Sequence, residues 1–230
     1  GHGIALALAR QGCAVACVDV VSHKESLRRA CDSITGLTGT STLALTADCT
    51  DRADLAEAFA EATEQLGPLR IVVAAVGGMG YTGGRGAGEE VKDADAFVDA
   101  DLNGGFAGIV QTTQFATYHT CQLAAQGMLK QGDGGRIIVI GSVMSDMGRP
   151  GSAACTPLFD CAVCPLCVCC ECNASLIVVT GADWCTASVD TASKAAIKQF
   201  GKVLATELAP AAITVNTIQP GAIDTIGQRR

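Results

Sequence analysis

Residues 191–218, TASKAAIKQFGKVLATELAPAAITVNTI, change their hydrophobic rhythm partway along. Up to Leu208 the apolar residues recur at helical spacing, and from Ile213 to Ile218 a short β-branched run takes over. The same exchange recurs upstream. The pattern predicts helix Ile4–Gln11, strand Ala14–Val20, helix Lys24–Ile34, strand Thr42–Thr46, helix Asp51–Gln65 and strand Arg70–Val76. After a long loop come helix Gln114–Lys130 and strand Arg136–Ile140. Strands alternating with helices are the signature of a parallel sheet covered on both faces, a doubly wound α/β fold. Gly12 and Gly67 are placed to stop their helices, and Thr50 or Asp51 to cap the next one.

The 230 residues are 49% hydrophobic and 17% charged, enough to bury one substantial core, so 1–230 reads as a single domain. A net charge of -7 without basic clusters argues against nucleic acid or an anionic membrane as partner and leaves a small metabolite. The most apolar run, Cys161–Cys170, is far below the roughly 20 residues that span a bilayer, so no membrane segment is expected. GHGIALALARQG has no signal peptide's charged start or cleavage site. Of 13 cysteines, eight (155, 161, 164, 167, 169, 170, 172 and 185) fall in one segment. Cys13, Cys17, Cys31, Cys49 and Cys121 are scattered over strand and helix faces, as reduced core cysteines of a cytoplasmic protein would be.

The segment Asp190-Thr191-Ala192-Ser193-Lys194, with AAIKQFGKVLATELAP after it, resembles the active-site helix of the short-chain dehydrogenase/reductase family, which begins Tyr-x-x-x-Lys. The resemblance implies a Rossmann-like fold and hydride transfer between a nicotinamide cofactor and a secondary alcohol or ketone. It also implies a homo-oligomer, commonly a tetramer built through the two long helices. The family opens with a strand and a TGxxxGIG turn that sets the cofactor pyrophosphate on a helix amino end. Placing Gly1 on the last glycine of that turn gives the first helix its proper length. In this register the first strand lies before residue 1, and the expectation is a sheet lacking its first and last strands, with unpaired ladder groups on the two neighbours of the first.

Asp19 ends a strand where the family meets the adenosine ribose. A carboxylate there accepts from the ribose hydroxyls and repels a 2'-phosphate, favouring NAD over NADP; the plainer reading is a strand-ending turn residue. Asp48 matches the family's adenine-contacting Asp, or is simply a polar residue ahead of a helix cap. In RIVVAAVGG the two asparagines of the family's NNAG are Ala74 and Ala75, while Gly77 is kept. Gly78–Gly83 spells G-x-G-x-x-G but follows the wrong strand, so a loop near the cofactor is the expected role. Ser142, just past a strand, is implied to hold the substrate oxygen, and Lys194 to bind the nicotinamide ribose. Asn103 is too far from Ser142 to be the family's relay asparagine, and Thr113 falls in that slot. Pro220, Gly221 and Thr225 match the PGxxxT segment that contacts nicotinamide.

Asp190 stands in the tyrosine slot. A carboxyl with a reference pKa of about 3.9 is ionised at neutral pH and has no proton to give a developing alkoxide. Tyr81 and Tyr118 are the only tyrosines, and neither is followed four residues on by Lys. The chain as written is therefore expected to be an NAD(P)-dependent oxidoreductase without reductase activity in this form; the alternatives are a pseudoenzyme that binds a dinucleotide without turnover and a product that does not fold. Removing residues 155–189 and placing Tyr at 190 gives GRPGSAAYTASKAAIKQF, an uninterrupted family match. The removed 35 codons keep the reading frame, and a Cys codon T-GT with an Asp codon G-AC allows GT…AG borders that join T to AC, a tyrosine codon. Residues 155–189 thus read as a non-family insertion, a translated intron. The rival is a metal or redox module on Cys161, Cys164, Cys167, Cys169, Cys170 and Cys172, although the C-x2-C-x2-C run lacks the fourth cysteine of a cluster motif, and no metal site is expected.

Overall fold

A computed structural model describes residues 1–77, 107–146, 175–180 and 187–221, with side chains undescribed at Met144 and at 175–180 and 187–190. Among the described residues six strands form one sheet: β1 (Ala14–Asp19), β2 (Thr42–Thr46), β3 (Leu69–Ala75), β4 (Gly135–Ile140), β5 (Ser175–Thr180) and β6 (Ile213–Ile218). Their order is β2-β1-β5-β3-β4-β6, and every pairing is parallel.

The helices are α1 (His2–Ala9), α2 (Lys24–Thr38), α3 (Arg52–Leu66), α4 (Ala116–Gln131) and α5 (Ala187–Leu208). Side chains alternate across each strand, so β1 sends Val15 and Cys17 to one face and Ala16 and Val18 to the other. The first set packs with Ala5 and Leu8 of α1 and Leu27, Cys31 and Ile34 of α2. The second joins Leu55 and Phe59 of α3, Cys121 and Met128 of α4, and Ile197 and Leu208 of α5. Both faces are covered, as the alternating pattern requires. Asp51 is the cap of α3: its side chain accepts from the amides of Ala53 (2.8 Å) and Asp54 (3.3 Å). Gly67, at φ +85°, ends that helix in a backbone region that L side chains avoid.

One expectation is corrected. The central slot between β1 and β3 is filled, not empty, and its occupant is β5, which lies within the cysteine-dense segment. Val178 pairs with Cys17 on one side and Val73 on the other. The reason is physical: β1 and β3 each present a row of amide and carbonyl groups that must be paired when buried. SLIVVT is a continuous apolar, β-branched run, the composition of a strand buried on both faces. Helix boundaries differ by up to four residues from the periodicity: α5 begins at Ala187, and α2 continues to Thr38 before Gly39 ends it in a left-handed conformation.

Candidate active site at the carboxyl edge of the sheet

In an open parallel sheet, ligands bind outside the carboxyl ends of the strands, where the connections on the two faces diverge. Asp19 is the last residue of β1 and is 9% exposed. Its Oδ1 accepts from the Val20 amide at 2.8 Å and lies 3.1 Å from His23 Nδ1. The carboxylate is thus fixed at the sheet edge. Gly1 stands at the amino end of α1, its carbonyl accepting from the Ala5 amide. Asp48 is exposed, and its carboxylate accepts from the amide and hydroxyl of Thr50 (2.8 and 2.7 Å), the local turn-forming role that was its plainer reading.

Gly77, Thr113 and Lys194 come together from three separate elements. A Cβ built on Gly77 would sit 2.7 Å from Lys194 Nζ and 3.8 Å from Thr113 Oγ1. Gly77 also has φ +144°, so both the backbone and the lysine demand glycine here. Thr113 lies in a π-helical turn, Val110–Phe115, that leads into α4. Such turns shift the facing of the side chains that follow and recur at functional sites. Thr113 is fully buried and its hydroxyl has no hydrogen-bond partner, an expensive condition for a polar group unless a ligand or water completes it. The π turn is tied to α5 by Gln114, whose Nε2 donates to Ser193 Oγ at 3.1 Å, next to Lys194.

Ser142 is held by a bracket that sequence reasoning missed. On either side of it, the Gly141 amide donates to the Ile218 carbonyl (2.8 Å) and the Val143 amide to the Pro220 carbonyl (3.0 Å). Gln219, with its amide turned to face acceptors, donates to Ser145 Oγ and Asp146 Oδ2, both at 2.8 Å. Asp146 also pairs with Lys198, one helical turn beyond Lys194 on α5. Ser142 and Pro220 are therefore brought together, and the segment carrying Ser142 is braced against the helix carrying Lys194. A five-residue run such as SVMSD has no periodicity, so only its charge pairing with a lysine spaced four after Lys194 could have hinted at this.

Thr225, Asn103 and the Gly78–Gly83 run lie outside the described residues. Asp190 is in the first turns of α5, four residues before Lys194, with its side chain undescribed. Among the described residues no group of three His, Cys, Asp or Glu is arranged to hold a metal ion, and no helix is long and apolar enough to cross a membrane. The cysteines expected to line a metal or redox module lie outside the described residues.

The chain matches the short chain dehydrogenase family over residues 1–156 and 177–230. It is 26% identical over 225 residues to 2-dehydro-3-deoxy-D-gluconate 5-dehydrogenase of Dickeya dadantii, covering 98% of this chain and 68% of that protein. It is 27% identical to the cyclohexanol dehydrogenase of a Rhodococcus species, covering 98% of this chain and 70% of that protein. A solved short-chain type dehydrogenase/reductase from Mycobacterium marinum superimposes with a TM-score of 0.68 at 26% identity, over 96% of this chain and 69% of that one. NAD+-bound xylitol dehydrogenase, at 19% identity and a TM-score of 0.69, shares the fold. With a parallel sheet in this strand order and a family match that covers most of its length, the chain belongs to the short chain dehydrogenase family of oxidoreductases.

Proposed function

We propose that this chain carries the nicotinamide-dependent hydride-transfer site of its family with the proton-donating position occupied by Asp190. In this form it binds a dinucleotide and a small alcohol or ketone without turning them over. The observation that supports the reading most is the meeting of Lys194 Nζ, Gly77 and the unpartnered Thr113 hydroxyl beneath the carboxyl edge of the sheet. That donor set suits a ribose and a bound water, and Asp19 at the end of β1 suits the adenosine ribose. Gly1, Asp48, Gly77, Pro220, Gly221 and Thr225 complete the dinucleotide contacts in this proposal, although Asp48 already serves its own turn. NAD is favoured over NADP, because Asp19 would meet a 2'-phosphate with like charge.

When bound, the nicotinamide supplies or accepts the hydride. The chain's own residues orient and exclude. Ser142, braced by Gly141 and Val143, donates to the substrate oxygen. Lys194 holds the ribose and offers a positive charge next to the reacting oxygen. Thr113 holds a water behind Lys194. The missing function is a neutral acid at position 190, since an aspartate is ionised at neutral pH and shorter than a tyrosine. The substrate class is a secondary alcohol or its ketone, supported by the cyclohexanol dehydrogenase likeness. Titrating the chain with NADH and following its fluorescence tests the binding half: saturable binding is expected, weakened in Asp19→Ala. No NADH binding at millimolar concentration would overturn it.

The same reading takes the protein as cytoplasmic, supported by the five buried free cysteines among the described residues. It also takes it as a homotetramer, supported by the exposed Phe115, Tyr118 and Val203 around the two long helices. Residues 155–189 are read as a translated intron that splits a tyrosine codon between Cys155 and Asp190. β5 then represents intron-encoded sequence recruited to an open strand slot. Sequencing the mature transcript tests this; the 105 bases present in the dominant message would sink it.

A further inference from the structure

Asp19 and His23 lie side by side where β1 ends. The chain leaves the strand through Val20 and makes a single 3-10 turn, Val21–His23, before α2 begins at Lys24. His23 is pinned through both of its backbone groups: its amide donates to the Val20 carbonyl (2.9 Å), and its carbonyl accepts from Ser26 Oγ (2.8 Å). The turn brings Nδ1 of the ring to 3.1 Å from Asp19 Oδ1, the oxygen that also accepts from the Val20 amide. An ionised carboxylate only accepts, so Nδ1 carries the hydrogen. The His23 side chain is 35% exposed, against 12% for that of Asp19, so the ring exchanges protons with solvent.

We propose that His23 sets cofactor selection at the Asp19 site, admitting a 2'-phosphate when its ring is protonated and excluding it when the ring is neutral. The inference rests on the reading of Asp19 as the ribose-contacting carboxylate. With a neutral ring the pair carries one negative charge and Nε2 is an acceptor, and both repel a phosphate while suiting ribose hydroxyls. Protonation reverses both terms together: the imidazolium balances the Asp19 charge, and Nε2 becomes a donor. An unphosphorylated ribose is affected less, because it brings no charge to the pair. Imidazole ordinarily gains its proton between about pH 5 and 8, so the choice between the two dinucleotides follows pH within that range. A unit charge about 6 Å from a phosphate changes affinity about threefold even at the dielectric constant of water, and by more in a partly buried site.

Other ionisable groups reach the same edge. From α1 come His2 and the Gly1 amino group, whose pKa is lowered by burial and partly restored by the Cys17 and Asp19 charges. Cys17 on β1 is a buried thiol. From the end of β2 come the exposed Asp48 carboxylate and the Cys49 thiol, which burial pushes up to about 12. Lys24 and Glu25 open α2 with opposite charges. A substitution at His23 retains all of these, and it also retains the second ionisation of the 2'-phosphate, near pH 6. Comparing it with the unaltered chain therefore isolates the ring.

The test measures dissociation constants of NADH and NADPH by fluorescence titration at about pH 6 and pH 8, with folding matched by circular dichroism. It uses the unaltered chain, His23→Asn, whose short amide keeps a donor but no titration, and His23→Lys, which is charged throughout. In the unaltered chain the preference for NADH over NADPH is expected to fall on acidification at least about threefold more than in His23→Asn. His23→Lys should show the weaker preference at both pH values. NADH binding with the same pH dependence in the unaltered chain and in His23→Asn would overturn this proposal alone. No NADH binding at either pH would overturn the reading of the Asp19 site, and this proposal with it.

Discussion

Replacing Val178 with proline probes the strand on which the sheet depends. β5 is flanked by β1 and β3, and Val178 pairs with Cys17 and Val73. In a parallel ladder each residue directs its amide and carbonyl to one neighbour, and the next residue to the other. A strand with two neighbours therefore has no spare amide. Proline at 178 removes one ladder bond, leaves a buried carbonyl acceptor without its donor, and forces its ring into the adjacent backbone. The unmet acceptor alone costs about 1–3 kcal/mol, and the ring clash brings the total to about 3 kcal/mol or more. For a domain of this size that is a fall in Tm of about 6–12 °C, if the chain folds at all. Thr46→Pro is the matched control. β2 is an edge strand, and because the Ala47 amide donates to the Asp19 carbonyl at 2.9 Å, the Thr46 amide faces away from β1. Thermal unfolding followed by circular dichroism reads both variants. A Val178→Pro chain that melts within about 2 °C of the parent, while Thr46→Pro loses more, would refute the placement of β5.

Thr113→Val is expected to leave Tm unchanged or to raise it by a few degrees, because the hydroxyl it removes is buried without a partner at a cost of about 1–3 kcal/mol. The same substitution should weaken NADH binding if that hydroxyl serves a ligand water. Gly77→Ala should cost about 1–3 kcal/mol in a urea melt, since the added methyl meets Lys194 Nζ and the backbone has φ +144°; NADH binding should fall with it. Asp19→Ala should narrow the gap between NADH and NADPH affinity, measured by fluorescence titration. Burial pushes the Cys49 and Cys121 thiols up to about 12, above their unfolded values near 8.5. A raised folded pKa contributes stability that is complete below the unfolded value and lost as pH rises toward the folded one. The urea midpoint should therefore hold below about pH 8 and decline between about pH 9 and 12. In Cys121→Ala that decline should be shallower.

The alternation of strand and helix carried most of the fold, because each strand's apolar run and each helix's stripe are local properties. It missed β5 because sheet position is not local. SLIVVT reads as a strand by composition, yet nothing near it tells which neighbours will be short of a partner. The vacancy between β1 and β3 arises from groups more than 90 residues away in sequence. The same distinction governs the site. Asp19, Lys194 and Gly77 could be picked out by the family motif, and the structure brings Lys194 and Gly77 together. The π turn that buries Thr113 beside them leaves no mark on hydrophobic period, and the Gln219–Asp146–Lys198 bracket joins residues 52 to 73 positions apart by charge and amide geometry alone. At Asp48 the motif match coincides with a local turn, in which Oδ1 accepts from the amide and hydroxyl of Thr50.

The proposal that this chain holds its family's hydride-transfer site without a proton donor at position 190 can be tested by restoring that donor. The direct measurement is NADH formation at 340 nm with NAD and cyclohexanol, comparing the chain with Asp190→Tyr at matched folding by circular dichroism. No turnover above background is expected for the unaltered chain, and measurable turnover once tyrosine stands four residues before Lys194. Turnover by the Asp190 chain, abolished by Ser142→Ala, would contradict it.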